Sequence, residues 1–283
     1  VSIPEAEPFG GRLVEALDAR GSLCIGIDPH AALLRAWGLS DDLKGLSKFA
    51  DLCIDAFADM LPVAKPQSAF FERFGSAGIA VLERTVQGLR AGGALVILDV
   101  KRGDIGSTMT AYADAYLNPA SPLAVDAITV SPFLGVGSLQ PAFDVAAEHG
   151  GGVFALALTS NPEGADIQHA TRANGTSIAQ YVMDEVGRRN DGAEPLGSFG
   201  VVVGATTGDA IKVDFSVLNG PFLVPGIGVQ GGTADDVARI FGDTMAAVIP
   251  TVSREVLSSG PDVDALRGAA ERRIEQFSFL RNR

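Results

Sequence analysis

The side chains best suited to chemistry are gathered in one run, Asp99-Val100-Lys101-Arg102-Gly103-Asp104. If this run ends a β-strand, Asp99 and Lys101 stand two residues apart and share a face, so a carboxylate and an ammonium look into the same space. Asp104 follows in a turn punctuated by Gly103, and Lys65 ends a separate apolar run. Two lysines and two aspartates are then available for one alternating network. Such a network keeps Lys101 protonated and positioned without a histidine or a metal, which is what a general acid requires. The competing reading is a buried ion-pair cluster that only fixes strand register, and the desolvation of four charges weighs against it. Lysine is scarce enough to be informative: the chain has only Lys44, Lys48, Lys65, Lys101 and Lys212.

A second set of residues suits a phosphate. Gly226, Gly228, Gly231 and Gly232 lie in the run PGIGVQGG at 225–232, where backbone N–H groups can approach an anion closely, and Arg254 follows Ser253 a strand later. Tight-turn geometry alone also accounts for the glycines, and a surface ion pair for the arginine. The same run satisfies G-x-G-x-x-G, but it follows the seventh apolar run. The next one ends in TVSR, without the acidic residue that a dinucleotide ribose calls for. His30, His149 and His169 have no metal-ligand spacing, and His30 reads as a loop residue. Ser131, Ser160 and Ser253 lack a G-x-S-x-G context, so a nucleophilic hydrolase is unsupported. No metal and no cofactor is called for.

These residues need elements to hold them. Short apolar, β-branched runs occur at 22–28, 62–67, 94–101, 126–132, 152–160, 197–205, 221–228 and 246–254. Between and after them, apolar residues recur at three- and four-residue spacing over 43–61, 70–91, 107–117, 137–148, 175–189, 206–218, 233–242 and 262–280. Near-continuous strands such as ALVIL and GVFALAL suit a parallel sheet buried on both faces. The expected fold is therefore α/β, a single-domain (β/α)8 TIM barrel over 1–283, although an open doubly wound sheet produces a similar alternation. An extra helix near 8–19 precedes the first strand and can cover the barrel's bottom. The stretch 161–175, rich in Gly, Asn and Pro, reads as a long loop after the fifth strand and a mobile lid. Polar residues at the C-terminal strand ends are those to weigh for catalysis: Asp28, Lys65 with Gln67, Asp99 with Lys101, Ser131, Thr159 with Ser160, and Ser253 with Arg254.

Composition sets outer bounds. With 47% apolar residues and 20% charged among 283, the chain can bury a large core. A net charge of −12 without a basic stretch argues against nucleic acid or an anionic membrane as partner, so an anionic ligand needs a local cationic site. Cys24 and Cys53 lie in apolar surroundings, outside any C-x-x-C pair, and read as buried thiols. No apolar run is long enough to span a membrane, and the opening VSIPEAEPFGGR does not resemble a secretion signal. A cytoplasmic location is expected.

The run DVKRGDIGST at 99–108 resembles the signature of the orotidine 5′-phosphate decarboxylase family. GIDPH at 26–30, AKPQSAFFERFG at 64–75, TSNPEG at 159–164, PGIGVQGG at 225–232 and VSR at 252–254 resemble its other landmarks in order. The AKPQSAFFE form and the length are more similar to the longer bacterial branch, type 2. The resemblance implies decarboxylation of orotidine 5′-phosphate to uridine 5′-phosphate and CO2. Lys101 would protonate C6, with Lys65, Asp99 and Asp104 completing the charged network. It also implies that Asp28 and Lys65 contact ribose hydroxyls, that Ser160 meets the pyrimidine, and that Gln230 and Arg254 grip phosphate together with loop amides, Pro225, Gly226, Gly231 and Ser253 being the other substrate-binding residues. Asp104, Ile105 and Thr108 would reach into the neighbouring subunit's site, making a homodimer the active form. Ser253 stands where the family often has Gly. A Mg-dependent phosphosugar synthase or aldolase on the same barrel, or a catalytically silent nucleotide-binding protein, are the alternatives.

Overall fold

Eight apolar runs become eight short strands because each is buried on both sides and too short and β-branched to persist as a helix. The computed structural model describes residues 7–207, 212–228 and 231–281. In chain order the elements begin with α1 (Phe9–Arg20), β1 (Cys24–Ile27), α2 (Ala31–Ala36), α3 (Leu43–Phe57), β2 (Val63–Pro66), α4 (Ala69–Glu72), α5 (Gly75–Ala91) and β3 (Leu95–Arg102). They continue with α6 (Gly106–Leu117), β4 (Ala127–Val130), α7 (Gln140–His149), β5 (Gly152–Leu158), α8 (Ala165–Gln168), α9 (Ile178–Gly187) and β6 (Phe199–Val203). The last are β7 (Phe222–Val224), α10 (Ala234–Phe241), β8 (Val248–Val252), α11 (Arg254–Leu257) and α12 (Val263–Gln276). The strands pair in parallel, each with the next, and β1 closes on β8 through Cys24 opposite Thr251 and Ile25 opposite Val252. The sheet is a closed barrel, and the doubly wound alternative is excluded.

Every strand falls within or at one residue from its expected run, and most helices follow. Three expectations need correction. The helix expected over 206–218 is, among the described residues, a single 3₁₀ turn at Phe215–Val217. Thr207 Oγ1 donates to Gly204 O at 2.7 Å, and Asp214 Oδ1 accepts from Ser216 N at 3.0 Å, so polar side chains satisfy local backbone in place of a helical ladder. The loop over 161–175 contains a 3₁₀ turn and α8, fastened to the end of β5 where Gln168 Oε1 accepts from Thr159 N and Gln168 Nε2 donates to Thr159 Oγ1, at 2.8 and 2.7 Å. The helix over 70–91 is divided into α4 and α5. The short α2 was not anticipated. His30 caps it, its Nδ1 accepting from Leu33 N at 3.2 Å.

α1 stops the bottom of the barrel. Its Phe9, Leu13 and Leu17 are fully buried and join Cys24, Val63, Ile97, Ala127, Phe154, Val202, Leu223 and Ile249 in one interior cluster. Burying each of the three is worth about 1.5–3 kcal/mol. Phe9 meets Phe154 edge-on at 5.9 Å, and a Cβ on Gly152 would stand 2.5 Å from the Phe9 ring, so only glycine begins β5 at this packing. Arg12 secures the helix by donating to Asp126 Oδ1 at 2.7 Å and Gly150 O at 2.9 Å. With the bottom filled, the open end of the barrel is the C-terminal mouth.

Candidate active site

The mouth is built one strand step above the plug. Side chains two apart on a strand share a face, and the interior residue of six strands is followed by one lining the cavity: Cys24 by Gly26, Val63 by Lys65, Ile97 by Asp99, Ala127 by Thr129, Phe154 by Leu156, and Ile249 by Thr251. An apolar floor thus carries a largely polar layer. The cavity above it holds about 350 Å³, enough for a small ligand.

Asp99 is the hub. It is 6% exposed, and its Oδ2 accepts from Lys65 Nζ at 2.8 Å while Oδ1 accepts from Lys101 Nζ at 2.5 Å and Thr129 Oγ1 at 2.8 Å. Burial alone would raise the Asp99 carboxyl, but the attraction of Lys65 and Lys101 and their hydrogen bonds override it and hold the group well below the usual carboxylate range. Lys65 is also 6% exposed, and its ammonium is held above the ordinary lysine value because Asp99 and Asp28 outweigh the cost of burial. Lys101 differs in reach: its side chain is 46% exposed at the mouth.

The way Lys101 arrives there departs from simple alternation. Lys101 has φ 44°, a left-handed conformation costing roughly 1–3 kcal/mol for a non-glycine residue. The β3–β4 register jumps between Leu98 and Arg102, so β3 carries extra residues over this stretch. A bulge, the usual device for re-aiming a side chain, turns the Lys101 ammonium back onto Asp99. Val100 packs into the outer core between barrel and helices. Arg102 Nη2 donates to Glu72 Oε1 at 2.7 Å and Ser68 Oγ donates to the same oxygen at 2.6 Å, fastening α4 beside the bulge.

Asp104, expected within the charged network, lies outside it in the single chain. Its Oδ1 accepts from Ile105 N at 2.8 Å, and neither Asp104, Ile105 nor Thr108 lines the cavity. The turn after the bulge carries all three outward, Ile105 being 62% exposed.

Beside Lys65, at the ends of β1 and β8, Asp28, Gly26 and Ser253 converge. A Cβ on Gly26 would stand 3.0 Å from Asp28 Oδ2 and 3.1 Å from Ser253 Cβ. Asp28 Oδ1 and Ser253 Oγ are buried without a hydrogen-bond partner, which suits hydroxyl or phosphoryl groups of a ligand. Pro225, Gly226 and Arg254 also line the cavity. The glycine loop folds on itself: Gly231 N donates to Gly228 O at 2.7 Å and Gly232 N to Gly226 O at 3.0 Å. Gly231 therefore spends its amide within the loop and does not line the cavity. Gly228 takes φ 79°, and a Cβ there would overlap Glu255 at 2.1 Å. Gln230 lies outside the described residues. Ser160 lines the cavity beside Thr159 and Asn161.

Sequence reasoning passed over Thr129, Thr251, Asn161 and Glu255, and the apolar wall of Leu156, Val202 and Leu223. Thr129 and Thr251 carried a signal, each being a polar residue at an inward position of an apolar strand. Among the described residues no group of three or more His, Cys, Asp or Glu side chains is arranged to hold a metal ion. Among them, too, no helix is long and apolar enough to cross a membrane.

A closed parallel barrel with a Lys–Asp–Lys cluster on one side of its mouth and a glycine loop with an arginine on the other defines an α/β-barrel enzyme of phosphorylated substrates. The chain belongs to the Orotidine 5′-phosphate decarboxylase / HUMPS family, which matches residues 21–269. It is 60% identical over 266 residues to an orotidine 5′-phosphate decarboxylase of Salinispora arenicola, covering 94% of this chain and 95% of that one. It is 59% identical over 266 residues to the one named in Streptomyces coelicolor, with the same coverage. A solved structure from Streptomyces avermitilis superposes with a TM-score of 0.95 at 55% identity, covering 99% of each chain.

Proposed function

We propose that this cavity converts orotidine 5′-phosphate to uridine 5′-phosphate and CO2, a step of pyrimidine nucleotide synthesis, with Lys101 as the proton donor to C6. The observation that carries the reading is the Lys65–Asp99–Lys101 cluster at the barrel mouth, in a chain whose 60% identical relatives are named for that reaction. Loss of CO2 leaves an electron pair in the plane of the pyrimidine, where the ring's π system cannot delocalise it. An ammonium about 4 Å from that pair contributes roughly 4 kcal/mol at an effective dielectric of about 20, and the contribution grows as the carbanion forms. Asp99, beside the departing carboxylate, opposes the ground state by a repulsion of similar order. Lys101 then delivers its proton to C6, and CO2 leaves as the neutral product.

These terms fall short of the roughly 23 kcal/mol that the largest enzymatic accelerations require. The remainder comes from binding energy remote from C6. Arg254, Gly226 and Gln230 take the phosphate, Ser253 lends its amide, Asp28 and Lys65 take ribose hydroxyls, and Ser160 takes the pyrimidine. Asp104, Ile105 and Thr108 serve the site of a second copy in a homodimer. Supporting this, Ile105 is 62% exposed, and the loop after β4 carries Phe133 and Leu134 at 75% and 54%, an unusual apolar display for a monomer surface. The buried free thiols Cys24 and Cys53 suit a reducing, cytoplasmic setting.

The test is the absorbance of orotidine 5′-phosphate with purified protein, before and after exhaustive chelation. Equal turnover in both supports the reading. Turnover that needs added Mg²⁺ favours a phosphosugar-type reaction, and binding without turnover favours a silent nucleotide-binding protein.

A further inference from the structure

We propose that Thr129 is a positioning residue for the proton donor: its one hydroxyl holds the Lys101 backbone in the bulge and aims the Asp99 oxygen to which the Lys101 ammonium is bound. The inference rests on the decarboxylase reading above and extends it to a residue outside the signature run.

The β3 bulge creates a local problem. Regular pairing between β3 and β4 runs through Ile97 opposite Ala127 and Leu98 opposite Ile128, then resumes only at Arg102 opposite Val130. Four residues of β3 pass while β4 advances by two, and within that span the Lys101 N–H meets a side-chain oxygen in place of a strand carbonyl. A buried donor left unsatisfied is costly. Thr129 sits in that gap, 1% exposed, and its Oγ1 accepts from Lys101 N at 3.0 Å. The same oxygen donates its proton to Asp99 Oδ1 at 2.8 Å. A hydroxyl is suited to this because it accepts and donates at once.

Asp99 Oδ1 is also the oxygen that receives Lys101 Nζ at 2.5 Å. Thr129 thus grips Lys101 at both ends, directly at the backbone and through Asp99 at the ammonium. Without the hydroxyl, the one side-chain bond to the Lys101 N–H is lost, and the strained φ of 44° is expected to relax toward the ordinary β region. That relaxation swings the ammonium away from Asp99 and from C6. The opposing carboxylate oxygen, Oδ2, belongs to Lys65, so Lys65 stays in place and the lesion is confined to the donor. Nucleotide binding, which the other side of the cavity supplies, is expected to survive.

The experiment compares Thr129→Val, which keeps the shape and removes the hydroxyl, with Thr129→Ser, which keeps the hydroxyl. The readouts are kcat, KM, uridine 5′-phosphate affinity by calorimetry, and a crystal structure of each protein. Thr129→Val is expected to lower kcat roughly 10- to 100-fold while nucleotide affinity stays within about twofold, and Thr129→Ser is expected to recover most of the loss. In the Val crystal, Lys101 leaves its positive φ and Nζ separates from Asp99. If Thr129→Val does not fold, Thr129→Ala carries the same expectation with less steric demand. A Val variant with unchanged kcat, or with Lys101 unmoved, overturns the proposal. So does an equal loss with Val and Ser, or a parallel loss of nucleotide affinity, either of which marks a packing role. Wild-type protein that fails to decarboxylate the substrate refutes the underlying reading instead, and the crystallographic comparison of Lys101 still judges Thr129.

Discussion

Replacing Asp99 with Asn removes one charge and almost no volume, so it separates the electrostatics of the cluster from its packing. Lys65 Nζ lies 2.8 Å from Asp99 Oδ2, with both side chains 8% exposed. At an effective dielectric of about 20, that pair attracts by roughly 6 kcal/mol. The amide retains part of the hydrogen bonding, and removing one partner of a buried pair costs about 3–5 kcal/mol in net stability. For a chain of 283 residues, this corresponds to a fall in Tm of about 5–8 °C.

The pH dependence gives a sharper signature. In wild type the Lys65 ammonium is held above its ordinary value of 10.5, so its contribution is complete below that pH and is lost only as pH rises through the still higher folded-state value. In Asp99→Asn the chief attraction is gone and burial dominates. The folded protein then binds the Lys65 proton more weakly than the unfolded chain does, and the deficit shrinks as pH rises from 7 toward 10. Cys24, pushed up to about 12 by burial, and Cys53 stay thiols in the folded protein but ionise in the unfolded chain, so they lower the stability of both proteins alike as pH rises and cancel in the comparison. Denaturant midpoints of both proteins at pH 7 and 9.5 make the comparison. A variant within about 1 kcal/mol of wild type at pH 7, or a deficit that widens with pH, refutes the assigned role of the buried pair.

Arg254→Ala is expected to weaken turnover of the nucleotide by roughly 10- to 100-fold in kcat/KM while sparing a phosphate-free analogue; equal losses on both substrates, measured by initial rates, count against a phosphate contact. The shared-site proposal predicts complementation. Lys101→Ala and Asp104→Ala are each expected to be nearly inactive, yet subunit exchange between them restores about one quarter of wild-type activity, since half the dimers are mixed and each mixed dimer has one intact site. An absence of recovery after verified exchange rules out residues crossing between subunits.

The barrel was legible because its strands carry their own signature. ALVIL and GVFALAL are too apolar to face water on either side, and each strand's inward residue two steps beyond the plug announced the site layer at Lys65 and Asp99. What escaped depends on contacts distant in sequence or on backbone geometry that composition does not encode. The stretch after β6 has helical spacing, but Thr207 and Asp214 spend their side chains on nearby backbone and close turns instead. α8 is held by Gln168 reaching back nine residues to Thr159. The bulge at Lys101 was invisible, and with it the contact of Thr129 to the Lys101 backbone, although a polar residue at an inward position of an apolar strand was there to be noticed. Asp104 looked like a fourth member of one network, yet the turn after the bulge directs it outward. Arg102, silent in the sequence, fastens β3 to α4 through Glu72.

The central claim is that the Lys101 ammonium, held by Asp99, supplies the proton and stabilises the carbanion. The most direct measurement is kcat for orotidine 5′-phosphate with Lys101→Ala, alongside its affinity for uridine 5′-phosphate. Loss of roughly 4 kcal/mol of transition-state stabilisation corresponds to a fall of about a thousandfold, with the product bound about as well as in wild type. A Lys101→Ala protein that turns over within tenfold of wild type, or that loses product binding in proportion to rate, contradicts the account.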